Sequence, residues 1–166
     1  MTKLPSIRMT YLIGFIIIAA FLGFAAYLEL FQGIMPCPLC ILQRVCLAVL
    51  GIFFLVGAIF RFKKCGNIII GLLAFLISLG GALLSGRQLW LQHNPLGLSS
   101  NCDVSLQYML KALPLDQVIM RVFQGGTECS QVNWQFLNVS LAGWSFIWFV
   151  IFIIVSIWQM SRKVSQ

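Results

Sequence analysis

Four long apolar stretches dominate the sequence, at residues 9–28, 38–60, 67–90 and 138–159. A helix needs about 20 apolar residues to cross the hydrocarbon core of a bilayer, and each stretch is long enough. Of the 166 residues 60% are hydrophobic and 9% are charged, whereas about a quarter of a soluble domain is charged. The sequence therefore predicts an all-α integral membrane protein, a four-transmembrane-helix bundle that forms a single membrane domain over residues 1–166.

The charged residues predict how the bundle is oriented. Basic residues precede the first stretch and follow the second and the fourth: Lys3, Arg8, Arg61, Lys63, Lys64, Arg162 and Lys163. All four acidic residues lie in the other two connections, 29–37 and 91–137. The positive-inside rule then puts both termini and the 61–66 connection in the cytoplasm. The net charge of +7 is mostly this signal of orientation, and without a basic stripe interleaved with aromatic residues we expect no nucleic-acid partner.

A cleaved signal peptide is the competing interpretation of the first stretch, because basic residues precede it. The apolar core of a signal peptide is only about 7–15 residues long and ends at a site of small residues. The stretch at 9–28 is longer, and no convincing cleavage site lies near Glu29. We expect a retained helix.

A Cys-x-x-Cys pair opens the second stretch. Pro38 suits the first position of a helix, which places Cys37 at the cap and Cys40 in the first turn. The unpaired N–H groups of that turn favour an anion, and Arg44, four residues on, shares a face with Cys40. Both effects favour the thiolate, which is the reactive form of cysteine. The pattern predicts a redox dithiol at a membrane surface, although an interfacial anchor is the alternative for Arg44.

Two further cysteines, Cys102 and Cys129, lie in the large 91–137 connection among polar, turn-forming residues. With Cys37 and Cys40 they fall on the non-cytoplasmic side, where disulfides persist. Four cysteines allow three pairings, and the most natural is Cys37–Cys40 with Cys102–Cys129. The second pair is either a structural staple or a partner for thiol–disulfide exchange. An outer disulfide that takes electrons from a soluble protein could pass them through the inner pair to a lipid-soluble two-electron acceptor, a quinone.

Other residues have weaker signals. His93 is the only histidine and lies at the predicted level of the dithiol, where a proton-transfer partner would be useful, although a hydrogen-bonded bystander is the more common case. Residues 115–123 carry an apolar face and predict an amphipathic helix on the membrane surface, with a packed helix of a small extramembrane domain as the alternative. We expect Cys46 to be an inert apolar residue, and Cys65 to be a cytoplasmic thiol.

Several of these motifs occur together in one known family. They are Pro36-Cys37-Pro38-Leu39-Cys40 with Arg44, then His93, Asn101-Cys102-Asp103, Leu113-Pro114-Leu115-Asp116, and Cys129 ahead of Trp134 and Phe136. In this order they resemble the DsbB family of bacterial inner-membrane disulfide-forming oxidoreductases. The resemblance covers the chain from the first span to the fourth.

The resemblance implies a four-helix bundle that oxidises DsbA, a periplasmic thioredoxin-fold protein, and reduces ubiquinone or menaquinone. Carried over by position, Cys102 would form a mixed disulfide with the partner, Cys129 would be its mate, and Cys37 would accept their electrons. A dedicated partner, served by a paralogue of the family, is an open alternative.

On the quinone side, the resemblance implies that Cys40 faces the quinone as a thiolate stabilised by Arg44, with His93 nearby. It also implies the inner membrane of a Gram-negative bacterium. From the residues alone, Cys37 at the helix tip is predicted to be the more reachable thiol, and Cys40 the one nearer the bilayer.

Three other kinds of protein are alternative interpretations of the sequence. A Cys₄ zinc site could use the four outer cysteines, but only half of them have paired ligand spacing and the compartment is oxidising, so we expect no metal. A structural subunit with a stapled loop would leave the Cys-x-x-Cys and Arg44 without a purpose. A vitamin K epoxide reductase-like protein would carry its Cys-x-x-Cys late in the chain, whereas here it opens the second span.

Overall fold

A computed structural model describes residues 7–33, 37–60, 64–94 and 135–161. These residues form four helices and a short hairpin: α1 (Ile7–Gln32), α2 (Pro38–Ile59), α3 (Lys64–His93), β1 (Gln135–Phe136), β2 (Val139–Ser140) and α4 (Leu141–Ser161). All four helices are long and apolar enough to cross a membrane. The predicted all-α, four-span fold is confirmed, while the amphipathic helix predicted at 115–123 lies outside the described residues.

The hairpin changes where the fourth helix begins. Gln135 pairs with Ser140 and Phe136 with Val139 in an antiparallel register. The two residues of the turn, Leu137 and Asn138, have φ values of 54° and 61°, the left-handed backbone that a two-residue hairpin turn needs. The helix therefore begins at Leu141 and not near residue 138, and Ser140 caps it by accepting a hydrogen bond from the Gly143 N–H at 3.2 Å.

Each helix packs along the next one in the chain, α1 with α2, α2 with α3 and α3 with α4. Arg8 Nε donates to the Ala58 carbonyl at 2.9 Å, which joins the start of α1 to the end of α2. Asn67 Nδ2 donates to the Gln159 carbonyl at 3.1 Å, which joins the start of α3 to the end of α4. The chain thus runs up and down, and α1 begins at the end of the bundle where α4 finishes.

Close contacts between rings and glycines hold the helices together. A Cβ at Gly81 of α3 would overlap the buried ring of Phe149 on α4. Phe54 of α2 meets Phe152 of α4 with ring centroids 5.6 Å apart, and Tyr11 of α1 at 5.5 Å. Inside a bilayer, where lipid tails are as apolar as leucine, such packing is a main cause of helix association.

Candidate active site

The two cysteines of the Cys-x-x-Cys motif lie together at the first turn of α2. The helix begins at Pro38, as the sequence predicts, and Cys37 is its N-cap with extended backbone. The Cys40 N–H donates to Cys37 Sγ at 3.3 Å, and the two Sγ atoms are 2.9 Å apart. The prediction that Cys37 is the more reachable thiol is wrong, because Cys37 is only 5% exposed and Cys40 is the more exposed of the two.

A glutamine from α3 contacts both sulfur atoms. Gln88 Nε2 lies 3.0 Å from Cys40 Sγ and 3.4 Å from Cys37 Sγ, while its Oε1 is farther from Cys40 Sγ, at 3.5 Å. Gln43 Nε2 donates to Gln88 Oε1 at 2.7 Å. Both amides are buried, with 4% and 3% exposure. The buried Gln88 amide, which accepts from Gln43, therefore presents N–H donors to both sulfur atoms, and such donors stabilise a negatively charged sulfur.

The amide pair of Gln43 and Gln88 is not among the residues predicted from the sequence. A signal was available, since Gln43 and Gln88 are polar residues inside predicted spans, and polar residues there are costly and often functional. Their pairing depends on which face of α3 packs against α2. The hydrophobic periodicity of the two helices does not predict that face.

Arg44 follows Cys40 by one turn and is directed towards α1. Its Nη1 pairs with the Glu29 carboxylate, and its Nη2 donates to the Ala25 carbonyl at 3.3 Å. The two charged side chains are partly exposed, 24% for Arg44 and 43% for Glu29. A pair this exposed contributes only about 0–1 kcal/mol to stability, so its main effect is to orient the guanidinium.

Cys40 and Arg44 line one pocket between α1, α2 and α4. The walls bound about 270 Å³ of empty space, which includes open solvent, while the centre of a water-sized sphere has about 10 Å³ to move in, room for about one water molecule. Its other walls are mostly apolar: Phe21, Ala25, Gln43, Leu47, Leu141, Ala142 and Ser145. Apolar walls with a few convergent polar groups are typical of small-molecule sites. The structure thus places the thiol and the cation that the sequence predicted on one face beside a candidate ligand site.

The sequence pattern of one known family extends over this whole framework. The family described as Disulfide bond formation protein DsbB matches residues 7–159. The chain belongs to the DsbB family. It is therefore a disulfide-forming oxidoreductase with the helices of a multi-pass membrane protein.

Individual relatives agree with the family assignment. The Disulfide bond formation protein B of Nitrosococcus oceani is 37% identical over 157 residues, which cover 95% of this chain and 93% of the relative. That of Acinetobacter baylyi is 40% identical over 155 residues, 90% of each chain. Disulfide bond formation protein B 1 of Pseudomonas aeruginosa is 39% identical over 160 residues, 96% of this chain and 98% of the relative. No solved structure matches the chain.

The other predicted site residues do not join this cluster in the described part of the chain. His93 is exposed in the last turn of α3, and its Nδ1 lies 3.1 Å from the Leu89 carbonyl of the same helix. His93 follows Gln88 by five residues, so its side chain is rotated by about 140° around the helix from that of Gln88. Cys102 and Cys129 lie outside the described residues.

The remaining cysteines of this DsbB-family chain lie away from the motif. Cys46 is half-buried and packs against the core of the bundle, and Cys65 is exposed near the start of α3. Among the residues described, no three His, Cys, Asp or Glu side chains come together as metal ligands would.

Proposed function

We propose that the chain reoxidises a DsbA-like periplasmic thioredoxin-fold protein and passes two electrons to membrane quinone, ubiquinone or menaquinone. The observation that carries the proposal is the Cys37–Cys40 dithiol, whose Cys40 lines a pocket with Arg44 between three membrane helices. Such a position connects thiol chemistry at the outer end of the bundle with a ligand dissolved in the bilayer. The family's name, disulfide bond formation protein, supports a chain that makes disulfides for other proteins.

On the protein side, two rounds of thiol–disulfide exchange move the electrons. A thiolate of the reduced partner attacks Cys102, which breaks the Cys102–Cys129 disulfide, forms a mixed disulfide and releases Cys129. The second thiol of the partner then displaces Cys102, so that the partner becomes a disulfide and the loop pair becomes two thiols. Exchange through Cys37 next reoxidises the loop pair and leaves Cys37 and Cys40 as thiols.

On the membrane side, the pocket residues fit a quinone. Phe21 and Leu47 offer apolar surface for a ring or its tail, and Arg44 offers N–H donors for a quinone oxygen. A bound quinone supplies an acceptor for two electrons and two protons. Cys40 provides the sulfur beside the pocket. A proton-exchange role for His93 rests on the sequence alone, because its side chain lies about 140° around α3 from Gln88.

The proposed location is the inner membrane of a Gram-negative bacterium, with both termini in the cytoplasm. The basic clusters support this orientation through the positive-inside rule. The dithiol lies at the end of the bundle opposite Arg8 and Gln159, so this orientation places it on the periplasmic side.

The test is quinone reduction by the purified chain, followed by absorbance, with a reduced thioredoxin-fold protein as electron donor. Turnover is expected in the parent, and loss of turnover in Cys40→Ser and Cys102→Ser. The matched control is Cys65→Ser, which removes an exposed thiol near the opposite end of the bundle and is expected to retain turnover. Turnover that persists in Cys40→Ser, or no turnover with several donors and both quinones, would overturn the proposal.

A further inference from the structure

We propose that Gln88 is the positioning residue of the Cys37–Cys40 dithiol, that it stabilises the reduced pair, and that Gln43 fixes the direction of its amide. This role would affect turnover only if the proposed function is correct, and in that respect the inference rests on the proposed function. The dithiol equilibrium itself can be measured without quinone or a partner protein.

The contacts of Gln88 match the two sulfur atoms. A side-chain amide carries two N–H donors on one nitrogen, and Gln88 Nε2 lies 3.0 Å from Cys40 Sγ and 3.4 Å from Cys37 Sγ. Gln88 is 4% exposed, so bulk water has little access to replace these donors. The shorter contact is to Cys40, the sulfur that lines the pocket.

Gln43 decides which atom of the Gln88 amide faces the cysteines. Gln43 Nε2 donates to Gln88 Oε1 at 2.7 Å, which holds this oxygen 3.5 Å from Cys40 Sγ while the nitrogen lies closer, at 3.0 Å. Gln43 is three residues from Cys40 on α2, and the same helix therefore carries both the thiol and the group that orients its donor. A reversed amide would place an oxygen against the sulfurs and would repel a thiolate.

The donors favour the reduced state over the disulfide. A thiolate is a charged acceptor and forms stronger hydrogen bonds than a neutral disulfide sulfur. A hydrogen bond to a charged group changes an equilibrium constant by about tenfold or more. Stabilising the reduced form makes the oxidised pair a stronger oxidant, which favours electron uptake from the loop cysteines.

The experiment measures the dithiol–disulfide equilibrium of Cys37–Cys40 in glutathione buffers, with the two states separated by alkylation and mass. The full chain is used with its other cysteines replaced, as Cys46→Ser, Cys65→Ser, Cys102→Ser and Cys129→Ser. Gln88→Met keeps a long unbranched side chain but removes the donors. We expect it to shift the equilibrium about tenfold towards the disulfide, about 30 mV for a two-electron couple.

Gln92→Met is the matched control, since Gln92 lies one turn further along α3 and accepts a hydrogen bond from Ser140 at 2.8 Å. It is expected to leave the equilibrium unchanged. A merely structural role for Gln88 would lower thermal stability without moving the equilibrium, and an unchanged equilibrium in Gln88→Met overturns the inference.

If Gln88→Met does not fold, Gln88→Leu decides by the same criterion, because leucine also has no donor. Failure of the quinone assay would leave this shift intact. The two proposals therefore fail separately.

Discussion

At the scale of single residues, some N–H groups of Arg44 hold the side chain in place and others are left for a ligand. The guanidinium has five N–H donors, and its contacts with Glu29 and the Ala25 carbonyl occupy one N–H on each terminal nitrogen. These contacts hold the side chain at the C-terminal end of α1 while it lines the pocket with Cys40. The arrangement leaves donors of a fixed, planar cation for a ligand in the pocket.

We therefore expect Arg44→Met to raise the KM for quinone by about tenfold or more, because a charge-assisted hydrogen bond is lost. Arg44→Lys should have an intermediate effect, since lysine keeps the charge but not the fork of donors. Steady-state quinone reduction at saturating partner concentration gives KM and kcat separately. Glu29→Gln, which retains a carbonyl acceptor for Arg44, is the matched control with a smaller expected effect. An unchanged KM in folded Arg44→Met would contradict the assigned role.

The site features that could be predicted from the sequence are those that depend on spacing along a single helix. The cap at Cys37, the helix start at Pro38 and the shared face of Cys40 and Arg44 all follow from positions along α2. The contact of Gln88 with the dithiol joins two helices, so no local pattern predicts it. The burial of Cys37 was mispredicted for a similar reason, because exposure depends on what packs around the helix tip.

At the scale of helices, the packing of α3 against α4 depends on a glycine. Gly81 leaves room for the Phe149 ring, whereas a Cβ at the adjacent Gly80 would meet nothing within 4 Å. We expect Gly81→Ala to lower the free energy of unfolding by about 1–3 kcal/mol, the typical cost of overpacking.

Gly80→Ala is the matched control. It is expected to leave the free energy of unfolding unchanged, or to raise it by up to about 1 kcal/mol because alanine has a higher helix propensity than glycine. Unfolding in mixed micelles with increasing SDS measures both variants. Equal effects of the two substitutions would contradict the assigned α3–α4 contact.

The hairpin before α4 shows where the prediction of elements fails. Hairpin turns with two left-handed residues favour Asn-Gly, and this turn has Leu137 followed by Asn138. The apolar residues Phe136, Leu137 and Val139 extend the hydrophobic run, so composition places the start of the helix too early. Contacts with the bundle favour the hairpin, since Trp144 Nε1 donates to the Phe136 carbonyl at 3.3 Å and Ser140 bonds to Gln92.

At the scale of the whole molecule, the two ends of the bundle have different polar groups. At one end, Tyr11 donates to Asn67 Oδ1 at 3.0 Å, and Asn67 donates to α4, which fixes three helices to one another. At the other end, Gln88 of the amide pair contacts the dithiol, and Arg44, one turn further along α2, pairs with Glu29. The number of spans and their up-and-down order could be predicted from hydropathy and charge, because lipid imposes both. The pocket could not, because it is formed by residues from three helices.

The central claim is that electrons from a protein dithiol pass through Cys37–Cys40 on their way to quinone. The most direct measurement is the redox state of this pair, read by alkylation and mass after reduced partner is added without quinone, and again after quinone is added. We expect the pair to become two thiols and then a disulfide, and Cys102→Ser to block the first change. A pair that stays unchanged while the partner is oxidised would contradict it.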